Sequence, residues 1–182
     1  MAGPIVTSAL TTIEQDGFRE AGFTEREALH LLRHPLLDIH DHREPAGLRS
    51  GRRSDLSRVL EIDEVSFDSF WRLDRDSFNS ARRATPVNYY RVATIEREVV
   101  GYAITGRAGR SAFLQRLGVD PSVRGQGVGT QLVSDSLRWA RGEGCASMLV
   151  NTQVVNEDAR RLYQRVGFVL DREQLKVLEW AQ

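Results

Sequence analysis

The sequence has one cysteine, one lysine and no apolar stretch long enough to cross a bilayer. The lone cysteine, Cys145, excludes an intramolecular disulfide and favours a reducing compartment. Basic and acidic residues balance at 25 each, so bulk charge favours neither a nucleic-acid nor an anionic-membrane partner. Met1–Leu10 lacks the basic and apolar pattern of a signal peptide. We therefore expect a cytoplasmic protein with no nucleic-acid or membrane partner.

The 182 residues suit one ordinary domain with a short appendage, and an apolar fraction of 41% is enough for a core. Two prolines, two glycines and three of the four histidines fall in His34–Gly51, which we interpret as a linker. Residues 1–45 are accordingly an N-terminal extension with its linker, and residues 46–182 the main domain. The acidic and histidine side chains of the linker lack the helical spacing of a metal site, so no metal is expected. These side chains are His34, Asp38, His40, Asp41 and His42.

Hydrophobic periodicity predicts helices and strands in an order typical of a mixed α/β protein. Four helices are predicted. Two have the ranges Thr11–Ala21 and Asn156–Val166. A third begins after Ser54 or Asp55 as its N-cap, and the fourth begins in Arg124–Gly129 and ends near Arg141. The predicted strands are Tyr89–Ile95, Val99–Thr105, Ala112–Val119, Ser147–Thr152, Phe168–Asp171 and Gln174–Trp180.

A glycine-rich segment follows the third of these strands and opens a helix. Helix N-termini carry unpaired N–H groups and a partial positive charge, and glycines let an anion approach them closely. A dinucleotide fingerprint would need a third glycine where Thr130 stands, and a P-loop would need a lysine. A merely tight strand-to-helix turn is the alternative. The segment comprises Arg124, Gly125, Gln126, Gly127, Val128, Gly129 and Thr130.

Two motifs in this order resemble those of the GNAT superfamily of N-acetyltransferases. The glycine-rich segment, after a strand that ends in Leu117-Gly118-Val119, resembles the acyl-coenzyme A (acyl-CoA) motif of that superfamily. A later stretch resembles the second signature of the superfamily, with the pattern Asn156-x-x-Ala159-x-x-Leu162-Tyr163-x-x-x-Gly167-Phe168. The resemblance covers Leu48 to Trp180. It implies the GNAT fold, a mixed and mostly antiparallel sheet with helices on both faces, and acetyl-CoA as co-substrate.

The resemblance also implies roles for single residues. The amides of Arg124–Thr130 are expected to hold the pyrophosphate, and the backbone of Leu117–Val119 to pair with the pantetheine arm like an added strand. Asn156 is implied to hydrogen-bond the pantetheine. Tyr163 is implied to lie near the sulfur and to protonate the departing thiolate as general acid. The alternative for Tyr163 is a core tyrosine with an ordinary hydrogen-bond partner.

The group that deprotonates the amine has no assignment. Relatives that acetylate protein N-termini carry a glutamate five residues before the asparagine; here that position is Asn151, which cannot accept a proton at neutral pH. A water relay to a distant carboxylate, or an acceptor amine of low pKa, would serve instead. The predicted activity is direct acetyl transfer, in a ternary complex, to a primary amine of a small molecule or peptide. A GNAT-fold module that binds acyl-CoA without transfer is the alternative.

The candidates for acceptor binding lie mainly between Phe67 and Asp74. In GNAT relatives the first helices wall the acceptor pocket, and aromatic rings with carboxylates suit a ligand that bears an ammonium group. Phe70, Trp71 and Asp74, together with Asn151, are assigned to this role. The alternative is that the aromatic residues belong to the core.

The first forty residues resemble the end of the chain. Gly22-Phe23 follows a predicted helix as Gly167-Phe168 does, and with one residue skipped Glu25–Arg33 aligns with Asp171–Glu179. We interpret the extension as the relic of a preceding, truncated GNAT repeat, too small to hold a core alone. It is expected to pack against the main domain or a second subunit, which allows a homodimer. Phe23–Arg33 is predicted to be mostly extended and strand-paired; a continuous helix is the alternative.

Overall fold

The computed structural model describes residues 5–40 and 44–180. These described residues form eight β-strands and five α-helices. By their contacts they divide into two compact units. The central unit runs from His34 to Leu149, and the terminal unit combines the described residues up to Arg33 with those from Val150 onward. Among the described residues, no helix has the length and apolar character needed to cross a membrane.

The secondary structure confirms the four predicted helices and most of the predicted strands to within three residues at either end. The helices are α1 (Thr12–Glu20), α2 (Leu56–Ser66), α3 (Arg75–Arg83), α4 (Val128–Gly142) and α5 (Glu157–Arg165). The strands are β1 (Ile5–Val6), β2 (Thr24–His34), β3 (Gly47–Ser50), β4 (Val87–Ile95), β5 (Glu98–Ala108), β6 (Ser111–Val119), β7 (Ser147–Gln153) and β8 (Val169–Trp180).

Three short elements, β1, β3 and α3, lie outside the sequence prediction. β3 falls in the segment interpreted as a linker and pairs antiparallel with β4, with Gly47 opposite Thr94. Its partner is remote in the chain, so no local pattern predicts it. α3 is different: Asp74 accepts the Ser77 N–H at 2.8 Å, and Phe78 is buried behind it. That Asp-x-x-Ser spacing is a capping signal that the sequence already carried.

The chain ends in one long strand, β8, where the sequence predicted two. β8 pairs antiparallel with β2 on both sides of a register shift between His30 and Leu32. The residues Asp171–Glu173 lie at this shift, and the Glu173 N–H donates to the Asp171 carboxylate at 3.3 Å. The prediction of two strands is therefore wrong. The polar interval between them forms a bulge inside one strand because β2 offers a pairing partner before and after it.

Helices cover both faces of the sheet in the central unit. Its strand order is β7-β6-β5-β4-β3, antiparallel throughout except for the parallel pair β6–β7. From β5, the Tyr102 hydroxyl donates to Asp63 of α2, whereas the Thr105 hydroxyl donates to Ser136 of α4 at 2.9 Å. Side chains an odd number of residues apart on a strand point to opposite faces. The predicted mixed, mostly antiparallel architecture is confirmed.

The main apolar cluster of the central unit lies between α2, α3 and the face of β4 and β5 that they cover. Its buried members are Leu56, Val59, Ile62, Phe78, Tyr90, Val92, Val99, Tyr102 and Ile104. Burial of each large apolar side chain stabilises the fold by roughly 1.5–3 kcal/mol. This cluster therefore fixes α2 and β5, the two elements that carry the supports of the glycine-rich loop described below.

In the terminal unit the strand order is β1-β8-β2-β7. The prediction that Phe23–Arg33 is extended and strand-paired is confirmed, because β2 covers Thr24–His34 and pairs antiparallel with β8. Leu29 and Leu32 are buried, and the ring of Phe23 packs edge-on against Phe18 at 5.3 Å between centroids. The extension thus packs within its own chain, and the helical alternative is wrong.

Candidate functional site

The glycine-rich segment forms the entry to α4. Gly125 and Gly127 both have left-handed backbones, with φ of 77° and 94°, a region that glycine adopts without strain. Gly127 is the N-cap of α4, and the first helical bond runs from the Gln131 N–H to the Gly127 carbonyl at 2.9 Å. The amides of Val128–Thr130 precede that bond, as at every helix start. The predicted strand–turn–helix context is confirmed, and it has the geometry of an anion-binding helix N-terminus.

The turn before this segment is tied to α2. Asp120 caps the short turn Pro121–Val123 by accepting the Ser122 N–H at 2.9 Å and the Ser122 hydroxyl at 2.6 Å. Arg58 of α2 donates to the other Asp120 oxygen and to the Val99 carbonyl. The Ser122 hydrogen bonds, followed by the Arg58 charge, hold the pKa of Asp120 below its usual value. The turn is therefore fixed from two sides while its carboxylate is ionised.

A second support comes from the supposed linker. The side chain of Gln131, only 3% exposed, donates to the Ala46 carbonyl at 2.8 Å and accepts the Ala46 N–H at 3.1 Å. Pro45 lies 3.6 Å from the position that a Cβ at Gly127 would take. The residues just before β3 are thus anchored beside the start of α4. Nothing in the local sequence signals this contact, because its two partners are far apart in the chain.

The strand before the loop has a fixed end. Gly118 of β6 lies opposite Tyr102, and an added Cβ there would stand 2.5 Å from the Tyr102 ring, so glycine is required. The Val119 carbonyl accepts from the Ser66 hydroxyl and from Arg124 Nε, both at 3.3 Å. The side chain of Arg124 therefore supports the end of β6, while its backbone belongs to the glycine-rich segment.

A buried ion pair holds the segment Phe67–Asp74 against β6. Asp63 is fully buried and accepts two bonds from Arg116, at 2.7 and 2.8 Å, besides the Leu73 N–H at 2.6 Å. Arg116 also donates to the Trp71 carbonyl at 2.6 Å, and its guanidinium lies 3.4 Å from the centroid of the Phe67 ring. The segment with the acceptor candidates is thereby fixed next to Leu117–Val119.

The acceptor candidates of this segment are only partly buried. Phe70 is 36% exposed and meets the half-buried Trp71 edge-on at 4.9 Å between ring centroids. The interpretation of these rings as core residues is therefore wrong for Phe70. Asp74 is exposed but is the N-cap of α3, and its hydrogen bonds to Ser77 lower its pKa. Asp74 thus has a structural partner, whereas the two rings face partly into solvent.

The remaining candidates lie in the terminal unit. Asn151 is exposed on β7. Asn156 caps α5 through its Oδ1, which accepts the Ala159 N–H at 3.1 Å; an asparagine amide also carries two N–H donors. Tyr163 is 6% exposed, with its ring 5.7 Å from that of Phe168. The helix cap and the tyrosine therefore stand at opposite ends of α5, which runs from Glu157 to Arg165.

The sequence analysis did not identify Glu27, a carboxylate of the terminal unit. Glu27 of β2 accepts a hydrogen bond from the Gln153 side chain at 2.6 Å. Beside it, the Ala28 carbonyl accepts the Val154 N–H at 3.2 Å, so β2 runs along the end of β7. No sequence signal points to this pair, because the partners come from the two ends of the chain.

Within the described part of the histidine-rich linker, His34 has a structural role. His34 is buried, and its Nδ1 accepts the Leu36 N–H at 2.9 Å. Asp38 and His40 lie in the described loop that follows, whereas Asp41 and His42 lie outside the described residues.

The chain is similar to known acetyltransferases. The profile of the "Acetyltransferase (GNAT) family" matches residues 53–168, well over half of the chain. An N-alpha-acetyltransferase RimI from Mycobacterium tuberculosis is 34% identical over 131 residues, 69% of this chain and 79% of that protein. An aminoglycoside N(6')-acetyltransferase type 1 from Klebsiella aerogenes is 38% identical over 73 residues, 40% of this chain and 48% of that protein.

A similar fold has been solved in a longer protein. The crystal structure of a GCN5-related N-acetyltransferase from Sphaerobacter thermophilus superposes with a TM-score of 0.66 at 16% identity, over 98% of this chain and 60% of that chain. At that identity the likeness concerns the fold alone. The family match and the RimI relative show that this chain belongs to the acetyltransferase (GNAT) family and is an acetyl-CoA-dependent acyltransferase.

Proposed function

We propose that this enzyme moves the acetyl group of acetyl-CoA directly to a primary amine of a peptide or small molecule, in a ternary complex. The observation that carries this proposal is the entry to α4, where two left-handed glycines precede the free first-turn amides of a fifteen-residue helix. The N-alpha-acetyltransferase and aminoglycoside acetyltransferase relatives both act on amines by name. One name specifies an alpha amine and the other an aminoglycoside amine, so both classes belong in the test.

The proposed cofactor site uses backbone more than side chains. Amides of the segment Arg124–Thr130 bind the pyrophosphate, those of the first turn of α4 foremost, because the Arg124 and Gln126 N–H groups donate to turn carbonyls at 3.3 and 3.4 Å. Leu117–Val119 offers backbone groups to the pantetheine arm. Asn156 donates its amide hydrogens to the pantetheine while its Oδ1 continues to cap α5. The supports at Arg58, Asp120 and Gln131 keep the loop in its bound shape before the ligand arrives, which lowers the cost of binding.

The proposed chemistry needs a polarised carbonyl and a proton for the thiolate. Backbone N–H groups of Leu117–Val119 polarise the thioester carbonyl, and Tyr163 donates its phenolic proton to the sulfur. Phe70 and Trp71 offer partly exposed aromatic faces to an ammonium group. In this proposal residues 46–182 form the catalytic domain and residues 1–45 are the relic of a truncated GNAT repeat.

Replacement of Gly127 tests the cofactor site. We expect Gly127→Val to weaken CoA binding at least tenfold, about 1.4 kcal/mol, in titration calorimetry. A branched side chain would stand among the first-turn amides, and the left-handed backbone, φ 94°, would strain any residue but glycine. Gly144→Val is the matched control, because Gly144 is also left-handed, φ 74°, lies in open space and sits at the other end of α4. If Gly127→Val and Gly144→Val bound CoA with equal affinity, the proposed pyrophosphate site would be rejected.

Acceptor choice is tested with a panel of peptides with free α-amino groups, aminoglycosides and simple polyamines, by release of free CoA thiol. Turnover of at least one member is expected, and no turnover of any amine with acetyl-CoA bound would reject amine acetylation.

The single cysteine should not disturb that thiol assay. Burial raises the pKa of the Cys145 thiol, and only 9% of the residue is exposed. Because the thiolate is the reactive form, we expect Cys145 to resist a thiol reagent at neutral pH until the protein is unfolded. Rapid labelling of the folded protein, measured by mass spectrometry, would contradict this expectation.

A further inference from the structure

The terminal unit is built from two copies of one motif. α1 and α5 are each nine residues long, with Thr11 and Asn156 at their N-cap positions. Each helix is followed by a left-handed glycine, Gly22 with φ 92° and Gly167 with φ 101°, and then by a phenylalanine and a long strand. The Phe23 N–H donates to the Phe18 carbonyl and the Phe168 N–H to the Tyr163 carbonyl, both at 3.0 Å.

The two copies pair with each other about an approximate twofold axis. β2 and β8 are antiparallel, and Leu29 lies opposite Leu175, its own counterpart in the sequence alignment of the copies. In the order β1-β8-β2-β7, the strands β8 and β2 form the inner pair and β1 and β7 flank them. A twofold axis between β8 and β2 therefore relates β1 to β7. β2 therefore stands beside β7 as β8 stands beside β1.

The first copy lacks the residues assigned to chemistry. Phe18 occupies the place of Tyr163, and Thr11 the place of Asn156. Phenylalanine has no acidic proton to donate, so only the second copy carries a proposed general acid. The first copy contributes the strand β2, which lies next to β7.

Strand β2 places a carboxylate at the end of β7. Glu27 is half-buried and bonded to the Gln153 side chain at 2.6 Å, so the two side chains share a face of the sheet. Residues two apart on a strand point to the same face, which puts Asn151 on that face as well. Asn151 stands where related enzymes carry a glutamate, and Glu27 is a carboxylate on the same face, bonded to the side chain two residues further along β7.

We propose that Glu27 is the general base of the acetyl transfer, a role that rests on the proposed function. A Glu27 carboxylate oxygen takes a proton from the acceptor ammonium through a bridging water. The freed nitrogen lone pair then attacks the thioester carbonyl carbon; the C–N bond forms, and the C–S bond breaks with its electron pair on sulfur. Tyr163 protonates that sulfur and regains a proton from the new amide nitrogen through water. Glu27 releases its proton to solvent.

Several other charged groups of the terminal unit are paired around β2. The Lys176 ammonium lies 2.8 Å from Glu25, and Arg26 is bonded to Glu179. Glu157 of α5 is bonded to Arg160, which lowers the Glu157 pKa, and a smaller lowering comes from His30 of β2. His30 therefore also needs testing as a base, whereas the other β2 imidazole, that of His34, is buried and accepts the Leu36 N–H.

The experiment compares Glu27→Gln with Glu173→Gln. Glu173 is the counterpart of Glu27 in the second copy and accepts the Thr12 N–H at the start of α1, away from the assigned residues. Glutamine keeps an acceptor for Gln153 but cannot take a proton. With the best acceptor of the panel, Glu27→Gln should lower kcat/KM about 10²-fold at neutral pH, and the loss should shrink towards about pH 9.5 as the free amine becomes abundant. Glu173→Gln should retain wild-type activity.

The possible outcomes distinguish a failure of the Glu27 assignment from a failure of the proposed function. An equal loss for Glu27→Gln at every pH, or a loss in acetyl-CoA affinity alone, would show a structural role and overturn the proposal. A pH-dependent loss in His30→Gln with none in Glu27→Gln would assign the base to His30 and also overturn it. Failure of the wild-type enzyme to acetylate any amine would instead reject the proposed function itself.

Discussion

Tyr163→Phe is expected to lower kcat about 10²-fold while the affinity for acetyl-CoA stays unchanged. The substitution removes one hydroxyl and leaves the ring packed against Phe168. Phe18 occupies the equivalent position of the first copy and packs against Phe23, but it is 38% exposed whereas Tyr163 is 6% exposed. A loss of activity at an unchanged urea-unfolding midpoint would therefore report the missing proton donor rather than a disturbed helix. Steady-state kinetics with calorimetry of acetyl-CoA binding separates the two quantities.

The reciprocal change serves as its control. Phe18→Tyr adds a hydroxyl at the equivalent position of the first copy, where no chemistry is assigned, and should leave kcat unchanged. A loss of less than about threefold in Tyr163→Phe would return the tyrosine to a packing role and leave water to protonate the thiolate.

Asp63→Asn is expected to destabilise the protein by about 3–5 kcal/mol, measured by urea unfolding. The Asp63 carboxylate is fully buried and receives bonds from Arg116, Tyr102 and Leu73. A neutral amide would leave the Arg116 guanidinium, whose side chain is 11% exposed, without a counter-charge. The segment Phe67–Asp74 depends on the same pair, so we also expect a raised KM for the acceptor.

Two variants control for this effect. Glu157→Gln breaks an exposed ion pair with Arg160 and should cost less than about 1 kcal/mol, because solvent screens such pairs. Asp63→Leu combined with Arg116→Met removes both charges and should recover only part of the stability lost in Asp63→Asn, because the Tyr102 hydroxyl and the Leu73 N–H lose their acceptor. Equal stability of Asp63→Asn and wild type would mean that water or a neighbouring group compensates Arg116.

The sequence by itself determined the features whose causes are local. Helix caps such as Asn156, the amphipathic spacing of α4 and the β-branched run of β4 act within a few residues. The glycine pattern of Arg124–Thr130 likewise reports a backbone that only glycine adopts easily. For these reasons the helices, most strands and the strand–turn–helix context of the loop could be predicted, together with the family to which the motifs point.

The extension shows how far sequence similarity within one chain reaches. Its match to the chain end predicted that Phe23–Arg33 forms a strand, and β2 confirms it. The match could not predict that β2 pairs with β8, its counterpart in the second copy. It also could not predict that this pairing makes the chain end one continuous strand instead of two. The choice of pairing partner depends on which strand edges meet in three dimensions.

Only the tertiary structure decided which remote side chains meet. Gln131 meets Ala46, Asp63 meets Arg116, and Glu27 meets Gln153, which lies 126 residues further along the chain. Each contact follows from strand order or from the packing of a helix on a sheet, and neither leaves a periodic trace in the sequence around the partners. The Glu27 carboxylate at the end of β7 could therefore not be predicted from the local sequence, because the strand that carries it comes from the opposite end of the chain.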